Sequence, residues 1–231
     1  MDLTLRFRKL VFASVVLFSS LNAAQTRGNP SAEFYQLAQS PEIYICDHFL
    51  SDQECDYIIR LADPHLVRST VVDPQSPAHL LDKRRTSQGM WIQGELIDPV
   101  VKNIQRKIAQ VTQIPEANCE DIQVLHYDLG GEYQPHFDYF DTSTPGGLSH
   151  YNRGGQRVAT FMIFLENTEE GGETIFPKAD LKITPEKGKA ILFFNVDTND
   201  KEDPMSLHGG APVLKGEKWI MTRWMRQGVF D

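Results

Sequence analysis

His136-Phe137-Asp138 sets an imidazole and a carboxylate two positions apart. In an extended strand residues i and i+2 project from the same face, so both side chains can meet at one metal ion. Alone, the pair is a common coincidence. It gains meaning from His208, in Ser206-Leu207-His208-Gly209-Gly210. Two histidines and one carboxylate leave coordination positions open, the arrangement that suits non-haem Fe(II) oxygenases. A structural zinc site would instead fill its shell with protein ligands, usually including cysteine. The open positions suit a chelating 2-oxo acid and dioxygen.

A 2-oxo diacid also needs a partner for its far carboxylate. Lys218 starts the run Lys218-Trp219-Ile220-Met221-Thr222-Arg223-Trp224, in which period-two alternation puts Lys218, Ile220, Thr222 and Trp224 on one face. If that face is interior, the ammonium is buried, which is costly unless an anion joins it. If it is exterior, Lys218 is a solvated residue at a strand start. His126 has the opposite parity to Tyr127 and is expected to face away from the metal. His150, a lone histidine in a loop, is expected to be exposed and is not assigned as a ligand.

The elements that must position these residues fall into two halves. Ser51-Asp52-Gln53-Glu54 reads as a capping box, followed at helical spacing by Cys55, Ile58, Ile59 and Ala62, with Pro64 ending the helix. A second helix starts at Asp98-Pro99 and shows Val100, Val101, Ile104, Ile108 and Val111 on one side. After Pro115 come short apolar runs at 122–127, 135–140, 158–165, 190–196 and 219–225, separated by glycine, proline and aspartate. Helices first and strands afterwards predict an α+β chain whose second half is a β-sandwich or jelly roll. Residues 141–155 read as a glycine-rich loop and are expected to be a mobile lid.

The chain has 231 residues and a net charge of −8, with 31 acidic against 23 basic side chains. That balance repels a phosphate backbone, so no nucleic-acid partner is expected. Arg6, Arg8 and Lys9 precede an apolar stretch over 10–21 and the small residues Ala23 and Ala24, the layout of a signal peptide. The stretch is shorter than the ~20 apolar residues a spanning helix needs. The expected organisation is a signal peptide over 1–24, with an uncleaved anchor as the alternative and the only route to a membrane. A linker over 25–41 and one domain over 42–231 follow. Export would take the protein to a periplasm or the medium in a bacterium, or to the endoplasmic reticulum or Golgi lumen in a eukaryote. Three cysteines, Cys46, Cys55 and Cys119, are too few for a disulfide framework and read as buried small hydrophobes, a Cys46–Cys55 bridge staying open.

The segment Leu125-His126-Tyr127-Asp128-Leu129-Gly130-Gly131-Glu132-Tyr133-Gln134-Pro135-His136-Phe137-Asp138 resembles the metal-binding segment of prolyl 4-hydroxylases. So do Arg157-Val158-Ala159-Thr160, Gly171-Gly172-Glu173-Thr174-Ile175-Phe176-Pro177 and the block from Asp203 to Trp224. Upstream, Phe49-Leu50-Ser51-Asp52-Gln53-Glu54-Cys55 and Arg85-Thr86-Ser87-Gln88-Gly89 join them in family order, so the likeness spans about residues 43 to 226. The resemblance implies a double-stranded β-helix (jelly-roll) core with supporting N-terminal helices and the metal site within 120–226. It implies iron ligands at His136, Asp138 and His208, and Lys218 on the distal carboxylate of 2-oxoglutarate. Thr160 is implied to assist Lys218, and Tyr127 to hydrogen-bond the co-substrate. Arg85, Ser87, Glu120 and Trp224 fall where similar enzymes contact a proline-containing peptide or protein.

The implied reaction uses Fe(II), O2 and 2-oxoglutarate, with ascorbate as reductant. It releases succinate and carbon dioxide and hydroxylates peptidyl proline at C4. The length matches the short single-domain type rather than the animal collagen enzyme, so no collagen-type tetramer is expected and the oligomeric state stays open. A hydroxylase of another residue or of a free amino acid is the nearest rival. A non-catalytic jelly-roll binding domain is more distant, because such a domain needs neither an open iron site nor an anion anchor, and a zinc hydrolase is weaker still.

Overall fold

The computed structural model describes residues 33–76 and 78–231, so the expected signal segment lies outside the described residues. The described chain opens on β1 (Tyr35–Gln39) and β2 (Glu42–Cys46). β1 occupies part of the stretch expected to be linker. Its residues are mostly exposed, so it is pairing with β2, and not an apolar face, that recruits this polar segment into the sheet.

Helix α1 (Asp52–Ala62) follows the capping prediction. Ser51 Oγ accepts from the Glu54 N–H at 3.3 Å, and the Glu54 carboxylate accepts from the Ser51 N–H at 3.0 Å. Cys55, Ile58 and Ala62 form its buried face, and a single 3-10 turn carrying Pro64 ends it. Short strands β3 (Val67–Arg68), β4 (Val71–Val72), β5 (His79–Leu80) and β6 (Gln88–Ile92) lead to α2 (Pro99–Thr112). The Asp98 carboxylate caps α2 by accepting from Val100 and Val101 N–H, both at 2.9 Å. Val101, Ile104 and Ile108 are buried beneath it.

The second half holds β7 (Ile122–Tyr127), β8 (Tyr133–His136), α3 (Pro145–Tyr151), β9 (Arg157–Phe164), β10 (Glu170–Gly171) and β11 (Thr174–Phe176). It continues with β12 (Leu181–Ile183), β13 (Ala190–Phe194), β14 (His208–Gly210), β15 (Val213–Lys215) and β16 (Lys218–Arg226). A major sheet of eight strands runs β1-β2-β13-β9-β16-β7-β6-β3, and a minor sheet of four runs β12-β11-β14-β8. The pairs within both sheets are antiparallel.

Two apolar cores result. One lies between the major sheet and the helices, where Ile58, Ile104 and Ile108 meet Val124, Phe161, Ile163 and Met221. The other fills the space between the two sheets with Leu125, Phe164, Phe176, Ile191, Phe193 and Ile220. The three cysteines are buried and free. Among the described residues no helix is long and apolar enough to cross a membrane.

Two sequence expectations need correction. β8 stops at His136, so Asp138 lies in the bend beyond it and not on the same strand. The supposed loop at 141–155 contains α3, whose start is capped by Thr144 Oγ1 accepting from the Gly147 N–H at 3.1 Å. Gly146 and Gly147 are there because helix and neighbours touch: a Cβ at either would run into the carbonyl oxygens of Asp73 or Asp141. The Gly146 N–H donates to Pro74 O at 3.1 Å, tying α3 to the turn of the β4–β5 hairpin.

Candidate active site

His136 ends β8 and His208 begins β14, and these two residues are direct antiparallel partners across the minor sheet. Their ring centroids are 4.5 Å apart. Asp138 returns to them through the bend after β8: its Oδ1 is 3.6 Å from His136 Nε2 and its Oδ2 3.5 Å from His208 Nε2. The ligand atoms of the three residues all lie within 4.8 Å of one another. Each histidine has its Nδ1 at 2.9 Å from a main-chain carbonyl, Gln134 O for His136 and Ser206 O for His208. A carbonyl only accepts, so each Nδ1 carries the proton and each Nε2 turns a lone pair toward the carboxylate, the orientation metal-binding histidines need.

Burial alone would raise the Asp138 carboxyl, but the adjacent His208 and His136 hold it far below the usual carboxylate range. Burial lowers His208 to about 4, with Asp138 opposing, so its imidazole is neutral near pH 7. An ionised carboxylate between two imidazoles whose Nε2 atoms face it, clustered with room for further ligands, fits Fe(II).

Thr160 is placed differently from the expectation that it assists Lys218. On β9, its hydroxyl donates to Asp138 Oδ2 at 2.7 Å and accepts from Asn195 Nδ2 at 3.0 Å. The residue that sequence reasoning missed near the lysine is Thr174. It is buried, lines one cavity with Lys218 and pairs with Gly210, where a Cβ would lie 3.4 Å from Lys218 Nζ, in ordinary contact with it. The available signal was period-two alternation in Thr174-Ile175-Phe176, which puts the threonine on the face of the phenylalanine.

The three ligand-type residues open into a cavity of about 420 Å³. Lys218 is interior, 2 % exposed, with Nζ 5.5 Å from the centre of the Tyr127 ring and 5.7 Å from that of Phe164. Among the described residues no carboxylate lies within ion-pair distance of it. Burial lowers its ammonium to about 7, with Glu173 opposing. Tyr127 lines the cavity too; burial raises its phenol, against the pull of Arg85 and a hydrogen bond with Ser87.

The four residues expected at the peptide are split between the cavity wall and the layer behind it. Arg85 and Trp224 are on the wall, whereas Ser87 and Glu120 are not. Ser87 Oγ accepts from Arg85 Nε at 3.2 Å. Glu120 receives Arg157 Nε at 2.6 Å and Nη2 at 2.7 Å, and Arg226 Nη1 at 3.1 Å. Both oxygens are thus spent on holding Arg157, which is on the wall with its Cζ 4.0 Å from the centre of the Trp224 ring. Trp91, which the sequence did not single out, extends this aromatic surface, its ring 5.7 Å from that of Trp224.

His126 does point away from the site, stacked at 4.3 Å on Trp219 and 2.6 Å from Glu217 Oε2. His150 is not exposed as expected: it is half-buried, stacked at 5.6 Å on Phe140, and lies outside the ligand cluster.

A double-stranded β-helix carrying two histidines and an aspartate at its mouth, with a buried lysine inside, defines an Fe(II)- and 2-oxoglutarate-dependent oxygenase. Comparison with known proteins agrees. Residues 122–226 match the 2OG-Fe(II) oxygenase superfamily. The chain is 38% identical over 227 residues to a probable prolyl 4-hydroxylase 7 of Arabidopsis thaliana, covering 90% of this chain and 70% of that one. It is 41% identical over 202 residues to prolyl 4-hydroxylase 1 of the same plant, covering 81% and 70%. Among solved structures, a viral collagen prolyl hydroxylase from Paramecium Bursaria Chlorella virus-1, in its 2OG complex, superposes with a TM-score of 0.62 at 34% identity, covering 80% of this chain and 95% of that one. The chain belongs to the prolyl 4-hydroxylase family of 2-oxoglutarate- and Fe(II)-dependent dioxygenases.

Proposed function

We propose that this enzyme hydroxylates proline at C4 within a peptide or protein, and that His136, Asp138 and His208 hold its iron. The observation that carries the reading is the pairing of that ligand cluster with an interior Lys218 lacking a carboxylate partner among the described residues, in one cavity. Fe(II), when bound, supplies the redox chemistry that couples oxidative decarboxylation of 2-oxoglutarate, to succinate and carbon dioxide, with transfer of one oxygen atom to the substrate carbon.

The protein's own share is positioning. Lys218 binds the distal carboxylate of 2-oxoglutarate, which gives the buried ammonium the counter-charge it lacks. Thr174 flanks the same carboxylate, and the Tyr127 phenol donates to the co-substrate. The apolar walls, including Phe193 and Ile220, exclude water from the reacting end. Arg85, Arg157, Trp224 and Trp91 line the cavity and bind the peptide on either side of the target. Ser87 and Glu120 hold the two arginines in place. This extended wall favours a peptide over a free amino acid.

Ascorbate serves as the reductant that keeps the iron ferrous. The basic and then apolar residues at 6–21 act as a signal peptide, so the substrate is met on the secretory route. N-terminal sequencing of the mature protein checks that part. The activity is tested by incubating enzyme with Fe(II), ascorbate, 2-oxoglutarate and proline-rich peptides. The expected result is 4-hydroxyproline by mass spectrometry with matching succinate. Succinate coupled to a different residue would move the target, and absence of both would refute the reading.

A further inference from the structure

Asn195 is fully buried, one position past the end of β13, and its surroundings join two segments that carry putting-together work for different ligands of the site. Through its side chain it reaches Asp138: Asn195 Nδ2 donates to Thr160 Oγ1 at 3.0 Å, and that hydroxyl donates to Asp138 Oδ2 at 2.7 Å. Through its backbone it reaches the His208 arm: Asn195 O accepts from the Asp203 N–H at 2.9 Å. Asp203 then builds the turn before His208. Its carboxylate accepts from the Met205 N–H at 2.8 Å and its carbonyl from Ser206 Oγ at 2.7 Å, and Ser206 O accepts from His208 Nδ1 at 2.9 Å.

The direction of the side-chain relay is fixed by chemistry. A carboxylate that serves a metal is ionised and accepts only, so the Thr160 proton must point at Asp138. The hydroxyl oxygen is then left to accept, and Asn195 must present its amide NH2 to it. The consequence is visible at the other end of the amide, where Asn195 Oδ1 is buried with no hydrogen-bond partner. A core built for stability alone would not retain an orphaned carbonyl oxygen, whereas a residue needed for its donor would.

We propose that Thr160 and Asn195 are positioning residues of the metal centre: Thr160 fixes the rotation of the Asp138 carboxylate, and Asn195 fixes the Thr160 proton while tethering the turn that presents His208. This deepens the ligand reading given above and rests on it. Partners of this kind, one bond removed from a metal, set affinity by orienting the ligands, and their loss typically costs on the order of 10- to 100-fold in metal binding.

The test is titration of the metal-free full chain with Co(II), followed by visible absorption of the bound ion, with thermal unfolding of each metal-free variant as the folding control. Thr160→Val is expected to weaken Co(II) binding by roughly 10-fold or more and to shift the absorption bands. Thr160→Ser, which keeps the hydroxyl, is expected to restore both. Asn195→Leu removes the donor that fixes the Thr160 proton without adding an ionisable group, so it is expected to weaken Co(II) binding in the same direction as Thr160→Val. Because Thr160→Ser keeps the hydroxyl and its hydrogen bonds, it keeps the comparison usable if Val disturbs folding.

Wild-type affinity and wild-type bands in Thr160→Val, or a Thr160→Ser as weak as Thr160→Val, would overturn the proposal. A wild-type chain that binds neither Co(II) nor Fe(II) would instead overturn the ligand reading, and this proposal with it.

Discussion

On β16, Trp219, Met221 and Met225 pack with Ile58, Ile104 and Ile108 in the core under the helices, while Lys218, Ile220, Thr222 and Trp224, the alternate residues of the same strand, line the cavity. β7 divides in the same way, with Ile122 and Val124 toward the helices and Gln123, Leu125 and Tyr127 toward the cavity. The buried residues of the helix-side face are apolar apart from Arg223, whose guanidinium is partnered by Glu120 O at 3.1 Å and Gln105 O at 3.3 Å, and this face contributes stability. The cavity-side face carries a buried ammonium, a buried carboxylate and two arginines, groups whose desolvation works against folding unless a partner joins them. Period-two alternation lets one sheet serve both purposes, so the two faces should respond to mutation in opposite ways.

The largest expected effect is on the cavity side. His208→Ala removes one of the three clustered ligand atoms and is expected to abolish Fe(II)-dependent succinate formation, measured by coupled assay, while leaving the melting temperature of the metal-free protein near wild type. A folded variant with full turnover would break the contrast.

Lys218→Met comes next. Truncating one partner of a buried charge pair typically costs roughly 2–5 kcal/mol, about 30-fold or more in 2-oxoglutarate affinity. In the ligand-free protein the same change is expected to stabilise near neutral and acidic pH. Burial holds the folded ammonium at about 7, below its unfolded value, so the folded state binds fewer protons and wild-type stability rises with pH from about 7 upward. Below that pH the full burial cost is present, and Met removes it. For the wild type, co-substrate binding near about pH 8.5 is expected to take up close to one proton at Lys218, measured by calorimetry in buffers of different ionisation enthalpy. Binding without proton uptake would show that the ammonium is not the anchor.

On the helix side, Ile104→Ala leaves a void beneath α2 and is expected to destabilise by about 2–5 kcal/mol in denaturant unfolding, with the KM for 2-oxoglutarate unchanged. The smallest effect belongs to Ser51→Ala, which removes the capping box of α1 and is expected to cost about 1 kcal/mol, again without a change in KM. A raised KM in either would show that the helices do more than support the sheet.

What was legible in the sequence is what local rules govern. Both helices, with Ser51 and Asp98 as caps, could be read because capping needs only neighbouring residues. Alternation grouped Lys218, Ile220, Thr222 and Trp224 on one face of β16, but which face is interior, and so whether Lys218 is buried, was settled by the fold. The ligand residues were recognisable as types, but strand parity gave the wrong reason for His136 and Asp138 to meet, since β8 ends between them.

Tertiary structure alone decided the rest. The β14–β8 register sets His136 opposite His208, and no local pattern encodes the partner of a strand joined by a long connection. Thr160 lay on the right strand, yet which acceptor its hydroxyl would find depended on where the bend returned Asp138. Glu120 and Ser87 are polar residues that the resemblance to prolyl 4-hydroxylases assigns to the substrate. Packing put them one layer back, as counter-charge and acceptor for Arg157 and Arg85. Gly146 and Gly147 read as freedom in the sequence. In the fold they are the close contacts of α3, because a residue without a Cβ permits flexibility and tight approach equally, and only the neighbouring chain determines which.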